Sequence, residues 1–350
     1  MRERVPLYLG IFGVMALSNA IVPVLPSFGE GPALQSLVYS TYFLGAFLTV
    51  IPAGLLADRE GRLPVVKAGL IMTVASGLLI VAVRHPLLVL AGRGFEGVGA
   101  GLIIAAGMSW VNTRLDHERI SGDFMASLNL GLVMGLLTSG WVAEASGNER
   151  AGILAFTLLC IVPTVLVFLA GESPSRLLSA GSWKDIPKGH LPLFLSAVVL
   201  MGVTGAVTAI YPGFTGQSPL PLGAAIAIMY LATVAGVFAA SRLHLPPVPT
   251  IQVAAILMAG SVLLLPSSPV AFALIGSIAG FVMIAQMAYL AETGLPQGAV
   301  MGAYNAASYA GMTLLPFLAG VIAERAGFLP AFAATALLAL SMAGIIGRRG

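Results

Sequence analysis

Arg93 and Glu96 stand three residues apart in a stretch from Leu87 to Trp110 that is otherwise apolar or small and long enough to cross a bilayer. A charge at the bilayer centre costs from ~2.5 to more than ~10 kcal/mol, depending on the scale. An acid and a base kept there call for a function or a buried partner. On a helix they share one face with Gly97, Ala100 and Ile104, which turns both charges toward neighbouring helices and away from lipid. The pair does not serve its own helix. If the span enters from outside, Arg93 lies near the positive helix end and the base precedes the acid, and both are the unfavourable sense. Such a pair can carry a proton: a carboxyl held beside a cation is ionised, and the same carboxyl parted from it in a dry site binds a proton. The structural alternative is a buried pair with no further role, or an Arg93 that snorkels while Glu96 stands by.

The elements that position these charges follow from composition. Hydrophobic residues make up 58% of the 350 residues and charged residues only 9%, with a mean hydropathy of +0.98. A soluble domain carries about a quarter charged residues, so the chain reads as an integral membrane protein. Apolar runs of about 17–25 residues are transmembrane helix candidates, and twelve occur, near 5–25, 36–57, 65–83, 87–110, 122–143, 151–170, 191–211, 221–240, 247–265, 269–290, 298–322 and 328–347. The runs are continuous and do not alternate, which excludes a β-barrel. The fold class is therefore all-α. The first run lacks a small-residue cleavage site and is read as a retained helix.

Thirteen Lys and Arg residues fall in the segments that would be inside if the N-terminus is cytoplasmic, against Arg84, Arg150 and Arg325 outside. By the positive-inside rule both termini are expected in the cytoplasm, and the net charge of +3 is a topology signal with no nucleic-acid footprint. The lone Cys160 excludes an intramolecular disulfide and speaks against a thiol metal site. The four His residues fall outside the spans, and no nucleophile triad, nucleotide loop or metal spacing appears, so neither an enzyme nor a cofactor or metal is expected.

A polar segment over 171–190 separates spans six and seven and reads as a cytoplasmic linker between an N-terminal six-helix bundle, 1–170, and a C-terminal one, 191–350. Internal similarity supports the division. At an offset of 180 residues, Gly122/Gly302, Ala126/Ala306, Gly131/Gly311, Gly140/Gly320, Ala143/Ala323, Glu144/Glu324 and Gly147/Gly327 are identical. Spans one and seven align at an offset of 189 through Gly13/Gly202, Val14/Val203, Ala20/Ala209, Ile21/Ile210 and Pro23/Pro212. Duplicated bundles of this kind can rock about a midplane site and give alternating access.

The segment after span two reads Gly54-Leu-Leu-Ala-Asp58-Arg59-Glu-Gly61-Arg62-Leu-Pro-Val-Val66. It resembles the cytoplasmic signature of the major facilitator superfamily, G-x-L-A-D-R-x-G-R-K-x-x-L, with Leu63 and Val66 as departures. The plan of twelve spans in two pseudo-symmetric six-helix bundles is that superfamily's over the whole chain. The resemblance implies a conformational latch of Gly54, Asp58, Arg59, Gly61 and Arg62, in which the Asp58 carboxylate faces the start of span eleven near Gly298. In span four, Arg93-Gly-Phe-Glu96-Gly97-Val-Gly99-Ala100-Gly101 is similar to the family's R-x-x-q-G-x-g-a-a pattern, which implies a proton-coupling role for Arg93 and, at the position of the frequent Gln, for Glu96. A third resemblance, Gly131-x-x-x-Gly135-Leu136-x-x-Ser139-Gly140 to the antiporter-associated G-x-x-x-G-P-x-x-G-G, departs at Leu136 and Ser139. Close helix packing through Gly131, Gly135 and Gly140 explains it equally well.

Polar residues within spans are the candidates for a substrate cavity: Asn19, Tyr39, Tyr42, Thr208, Gln286, Tyr304, Asn305, Ser308 and Tyr309. With few fixed charges, such a cavity suits an amphipathic or weakly charged organic molecule better than a polyanion. The leading expectation is a proton-coupled secondary active transporter of the cell membrane, acting as a monomer, that exports lipophilic or drug-like small molecules as an antiporter. The alternatives are a proton symporter importing a small metabolite and, in another class, a non-transporting receptor or scaffold. The partners expected are a small-molecule substrate, protons and the lipid bilayer.

Overall fold

In hydrocarbon only a helix or a closed barrel satisfies every backbone N–H and C=O. The computed structural model describes residues 4–112, 117–169, 190–243, 245–293 and 297–347, and it is helical almost throughout them. The first half contains α1 (Arg4–Ala20), α2 (Pro32–Glu60), α3 (Arg62–Ala82), α4 (Pro86–Asn112), α5 (His117–Ser146) and α6 (Ala151–Phe168). The second contains α7 (Leu191–Thr215), α8 (Pro219–Leu243), α9 (Pro247–Leu264), α10 (Ala271–Glu292), α11 (Gln297–Ala326) and α12 (Phe328–Ile345). Eleven of these are long and apolar enough to cross a membrane by themselves, and the first does so together with the 3-10 segment that follows it.

That first span corrects the sequence reading, which took 5–25 as one continuous helix. The α-helix stops at Ala20, and a 3-10 segment over Val22–Phe28 leaves it at 47°. Pro23 and Pro26 are the reason: each lacks the N–H that an α-helix needs there, and a proline ring clashes with the carbonyl of the preceding turn. Other helices outrun their apolar cores. α2 has 29 residues and α5 and α11 have 30 each, about 45 Å at 1.5 Å per residue against a hydrocarbon thickness of ~30 Å. Their last turns therefore stand beyond the hydrocarbon.

The helices group into two units. Unit 1 comprises residues 1–29, 41–179 and 217–224, and unit 2 comprises 30–40, 180–216 and 225–350. In unit 1, α1 packs on α5 and α6, and α3 packs on α4 and α6. In unit 2, α7 packs on α11 and α12, and α9 packs on α10 and α12. The second set of partners is the first with six added to each helix number, which is the duplication expressed as packing. Grouping by contact differs from the division by sequence in two short segments, since the start of α2 groups with unit 2 and the start of α8 with unit 1. The linker proposed over 171–190 lies, but for its last residue, outside the described residues.

Small residues set the spacing within each unit. A Cβ added at Gly131 or Gly135 of α5 would collide with the carbonyl oxygens of Phe12 and Ala16 of α1, and one at Gly311 of α11 with the carbonyl of Val198 of α7. Without side chains at these points the backbones meet directly, and helix association in a membrane relies on such close packing because leaving lipid, which is as apolar as the side chains, supplies no hydrophobic drive.

Candidate functional site

Arg93 and Glu96 lie on α4 in the interior of unit 1, each with 1% of its side chain exposed. Burial is possible because α4 is lined with glycine where it meets α2: a Cβ at Gly97 would collide with the carbonyl of Tyr42, and one at Gly45 with that of Gly94. One guanidinium nitrogen, Nη1, donates to Glu96 Oε2 at 2.6 Å. Nη2 donates to the backbone carbonyl of Ser18 on α1 at 3.3 Å. The guanidinium also lies 4.9 Å from the ring centroid of Tyr42 on α2, a distance at which a desolvated cation is drawn to the ring face. Arg93 thus joins α1, α2 and α4.

The account for Glu96 does not close. Oε2 accepts from Arg93, whereas Oε1 is buried and has no hydrogen-bond partner among the described residues. A buried carboxylate oxygen with nothing donating to it is costly, and a proton is the smallest species that removes that cost.

The other candidates are arranged differently. Asn19 is buried and donates its amide to the carbonyl of Leu132 on α5 at 3.2 Å. Thr208 is buried and donates to the carbonyl of Thr204 one turn earlier. Tyr39 is buried in the part of α2 that belongs to unit 2. In unit 2, Gln286 of α10 donates through Nε2 to the Ser196 hydroxyl of α7 at 2.9 Å and accepts through Oε1 from the Tyr304 hydroxyl of α11 at 3.1 Å. The Ser196 hydroxyl in turn donates to the Leu193 carbonyl at 2.7 Å. Three helices are joined by uncharged groups that are all satisfied. Asn305, Ser308 and Tyr309 of α11 are only half-buried.

Of the latch residues, Gly61 has φ +91° at the start of α3, a left-handed conformation that costs a residue with a Cβ but not glycine. Arg62 donates from Nε to the Ser109 hydroxyl of α4 at 2.9 Å, Arg59 is exposed, and Gly54 faces open space. The side chains of Asp58 and of residues 297–299 at the start of α11 are not among those described.

Sequence reasoning assigned Tyr42 to a substrate cavity and did not see it as the aromatic face under Arg93. It also missed Ser196 altogether. A backbone carbonyl such as that of Ser18 leaves no trace in residue identity, and Ser196 is 90 positions from Gln286. Only the shared polarity of spans seven, ten and eleven hinted at the second cluster.

The family model for the Major Facilitator Superfamily matches residues 7–294. A curated relative, the Quinolone resistance protein NorB of Staphylococcus aureus (strain JH9), is 32% identical over 159 residues, which is 44% of this chain and 33% of that protein. The matched stretch thus spans about a third of the relative's length. Among solved structures, the nucleoside transporter NupG superposes with a TM-score of 0.78 at 14% identity, covering 98% of both chains. A D-xylose-proton symporter gives 0.79 at 13% identity over 99% of this chain and 97% of its own. The human organic anion transporter MFSD10 gives 0.72 at 17% identity over 99% of both. At these identities the structural likeness shows the fold alone.

Proposed function

The chain belongs to the Major Facilitator Superfamily, and from that premise we propose that it is a proton-coupled secondary active transporter of the cell membrane that works by alternating access and exports lipophilic or drug-like small molecules. The observation that carries the coupling is the Arg93–Glu96 pair, buried in unit 1 with Glu96 Oε1 unpartnered among the described residues. In one conformation Arg93 holds the carboxylate ionised. When the guanidinium turns fully to the Ser18 carbonyl and the Tyr42 ring, the separated carboxyl binds a proton, and the return stroke releases it.

Three supports bear on the remaining parts of the reading. The duplicated packing of the two units is the arrangement that alternating access uses. The likeness to NorB, whose name attaches it to quinolone resistance, favours export of an aromatic, weakly charged compound. The half-buried Asn305, Ser308 and Tyr309 of α11 are the side chains proposed to meet that compound. Asp58 is proposed to latch the cytoplasmic side through the start of α11, with both termini in the cytoplasm and the monomer as the working unit.

Purified protein in liposomes with an imposed pH difference tests the reading, with a fluorescent quinolone as the probe. Proton-driven accumulation of the quinolone, abolished by an ionophore that collapses the gradient, is the expected result. Flux that is indifferent to the gradient would overturn proton coupling and leave a uniporter.

A further inference from the structure

The end of α3 is held by an arginine that is only half used. Arg150, the residue before α6, donates from Nη1 to three carbonyls around the end of α3: Ile80 at 2.9 Å, Val81 at 3.0 Å, and Val83. Carbonyls there have no donor within the helix, and the helix dipole favours a cation beside them. The guanidinium also lies 5.1 Å from the ring centroid of Phe28 in the 3-10 segment. Together these contacts fix its plane and leave one edge of it unused. Of the five N–H donors of an arginine, those on Nε and Nη2 make no hydrogen bond among the described residues. Such a fork matches two oxygens of a carboxylate or a phosphate.

A second cation stands beside the first. Arg84 directly follows the Val83 carbonyl and is exposed. Burial and, after it, the Arg84 charge lower the Arg150 pKa from its ordinary value, and the Glu149 carboxylate offsets only part of this. Among the described residues neither arginine is ion-paired with an acid. Basic residues are scarce on this side of the membrane, where the sequence places only Arg84, Arg150 and Arg325. Two of the three side by side therefore call for a local cause.

Arg84 lies two residues beyond the span Arg62–Ala82 and Arg150 one residue before the span Ala151–Phe168, which is the level of lipid headgroups. Beneath them α3 and α6 run antiparallel in close contact. A Cβ at Gly77 would collide with the Thr157 side chain, and at the far end Lys67 Nζ lies 5.0 Å from the ring centroid of Phe168. Within one turn of these contacts the exposed side chains are apolar: Ile71 and Leu78 on α3, Leu154 and Ile161 on α6. A free anion gains nothing from such a track, whereas an acyl chain packs along it. The geometry points to a binding site on unit 1 for one anionic phospholipid, with its phosphate between Arg84 and the free edge of Arg150 and an acyl chain along α3 and α6. The site is separate from the Arg93 pair and does not depend on the transport reading above.

The test mixes full-length protein in non-ionic detergent with equal amounts of phosphatidylglycerol and phosphatidylcholine of the same acyl chains, and counts bound lipid by native mass spectrometry. Wild type is expected to retain one phosphatidylglycerol in preference to phosphatidylcholine by roughly tenfold, the scale of one charge-assisted hydrogen bond. Arg84→Ala removes a side chain with no hydrogen bond or ion pair among the described residues, so the fold is expected to stand while most of the preference is lost. Arg150→Lys keeps the charge but gives up the two-pronged edge, and the preference is expected to fall again. Arg325→Ala, which removes one positive charge from the end of α11, is expected to leave it unchanged. Equal retention of the two lipids by wild type, a preference that survives Arg84→Ala, or an equal loss in Arg325→Ala would each overturn the site. Displacement of the lipid by millimolar inorganic phosphate would show that the two cations take any free anion, and would overturn the phospholipid as ligand.

Discussion

The two units solve one problem, tying three helices together in the interior of a bundle, with different chemistry. In unit 1 the tie is ionic: Arg93 of α4 reaches Glu96, the Ser18 carbonyl of α1 and the Tyr42 ring of α2. In unit 2 it is neutral: Gln286 of α10 links Ser196 of α7 to Tyr304 of α11. In the neutral cluster each polar atom has at least one partner, and no group in it carries a charge. The ionic cluster leaves one oxygen without a partner among the described residues and gives its cation three acceptors, which is the ground on which we propose that it takes two arrangements differing by a proton. On the proposed function, the moving part and the fixed part differ in whether the hydrogen-bond account closes.

The contrast is most exposed to Glu96→Gln, which fixes the site in its protonated form. Accumulation driven by a pH difference is expected to vanish while exchange of labelled for unlabelled substrate persists, as counterflow in liposomes would show. Concentration of substrate by this variant under a pH difference alone would place the coupling acid elsewhere.

Arg93→Ala comes next. Removing one partner of a buried ion pair costs about 3–5 kcal/mol unless the survivor is neutralised. The variant is therefore expected to have a depressed Tm at alkaline pH that recovers as pH falls, because added protons remove the uncompensated charge on Glu96. Transport should lose its pH dependence. A Tm gap independent of pH would show that Arg93 serves packing alone.

Gln286→Leu probes the neutral tie. It leaves the Tyr304 hydroxyl without its acceptor and Ser196 without its donor, at a cost of ~1–3 kcal/mol, yet pH-driven accumulation should persist with an unchanged pH profile. A shifted profile would mean that unit 2 also titrates. Tyr304→Phe is the mildest change, with an expected loss of ~0.6 kcal/mol, the average for hydrogen bonds between membrane helices, visible only as a small drop in Tm.

Much of this was legible in residue order. The twelve spans, the duplication and the Arg93–Glu96 face all follow from local composition, because the bilayer requires each span to satisfy its own backbone. Glu144 and Glu324 were visible as identical partners in the repeat, but not as acceptors for the N–H groups of Leu220 and Ala33, which are 76 and 291 positions distant. The break after Ala20 was legible in Pro23 and Pro26 and was outweighed by the unbroken hydrophobicity around them. Nothing in a list of residues foretells that Glu96 would be left with an open oxygen, because that depends on which groups fail to arrive.

The break in the first span has a consequence for how this chain can vary. Where a helix stops inside the hydrocarbon, its last carbonyls lose their donors, and the carbonyl of Ala20 is met by the Ser139 hydroxyl of α5 at 2.6 Å. Ser139 is the position at which the α5 stretch departs from the antiporter-associated pattern, where glycine is usual. A glycine there would strand the Ala20 carbonyl. A first span without its prolines would have its own donors at that depth and no use for the serine, so substitutions at Pro23 and Ser139 are expected to be tolerated together more readily than singly.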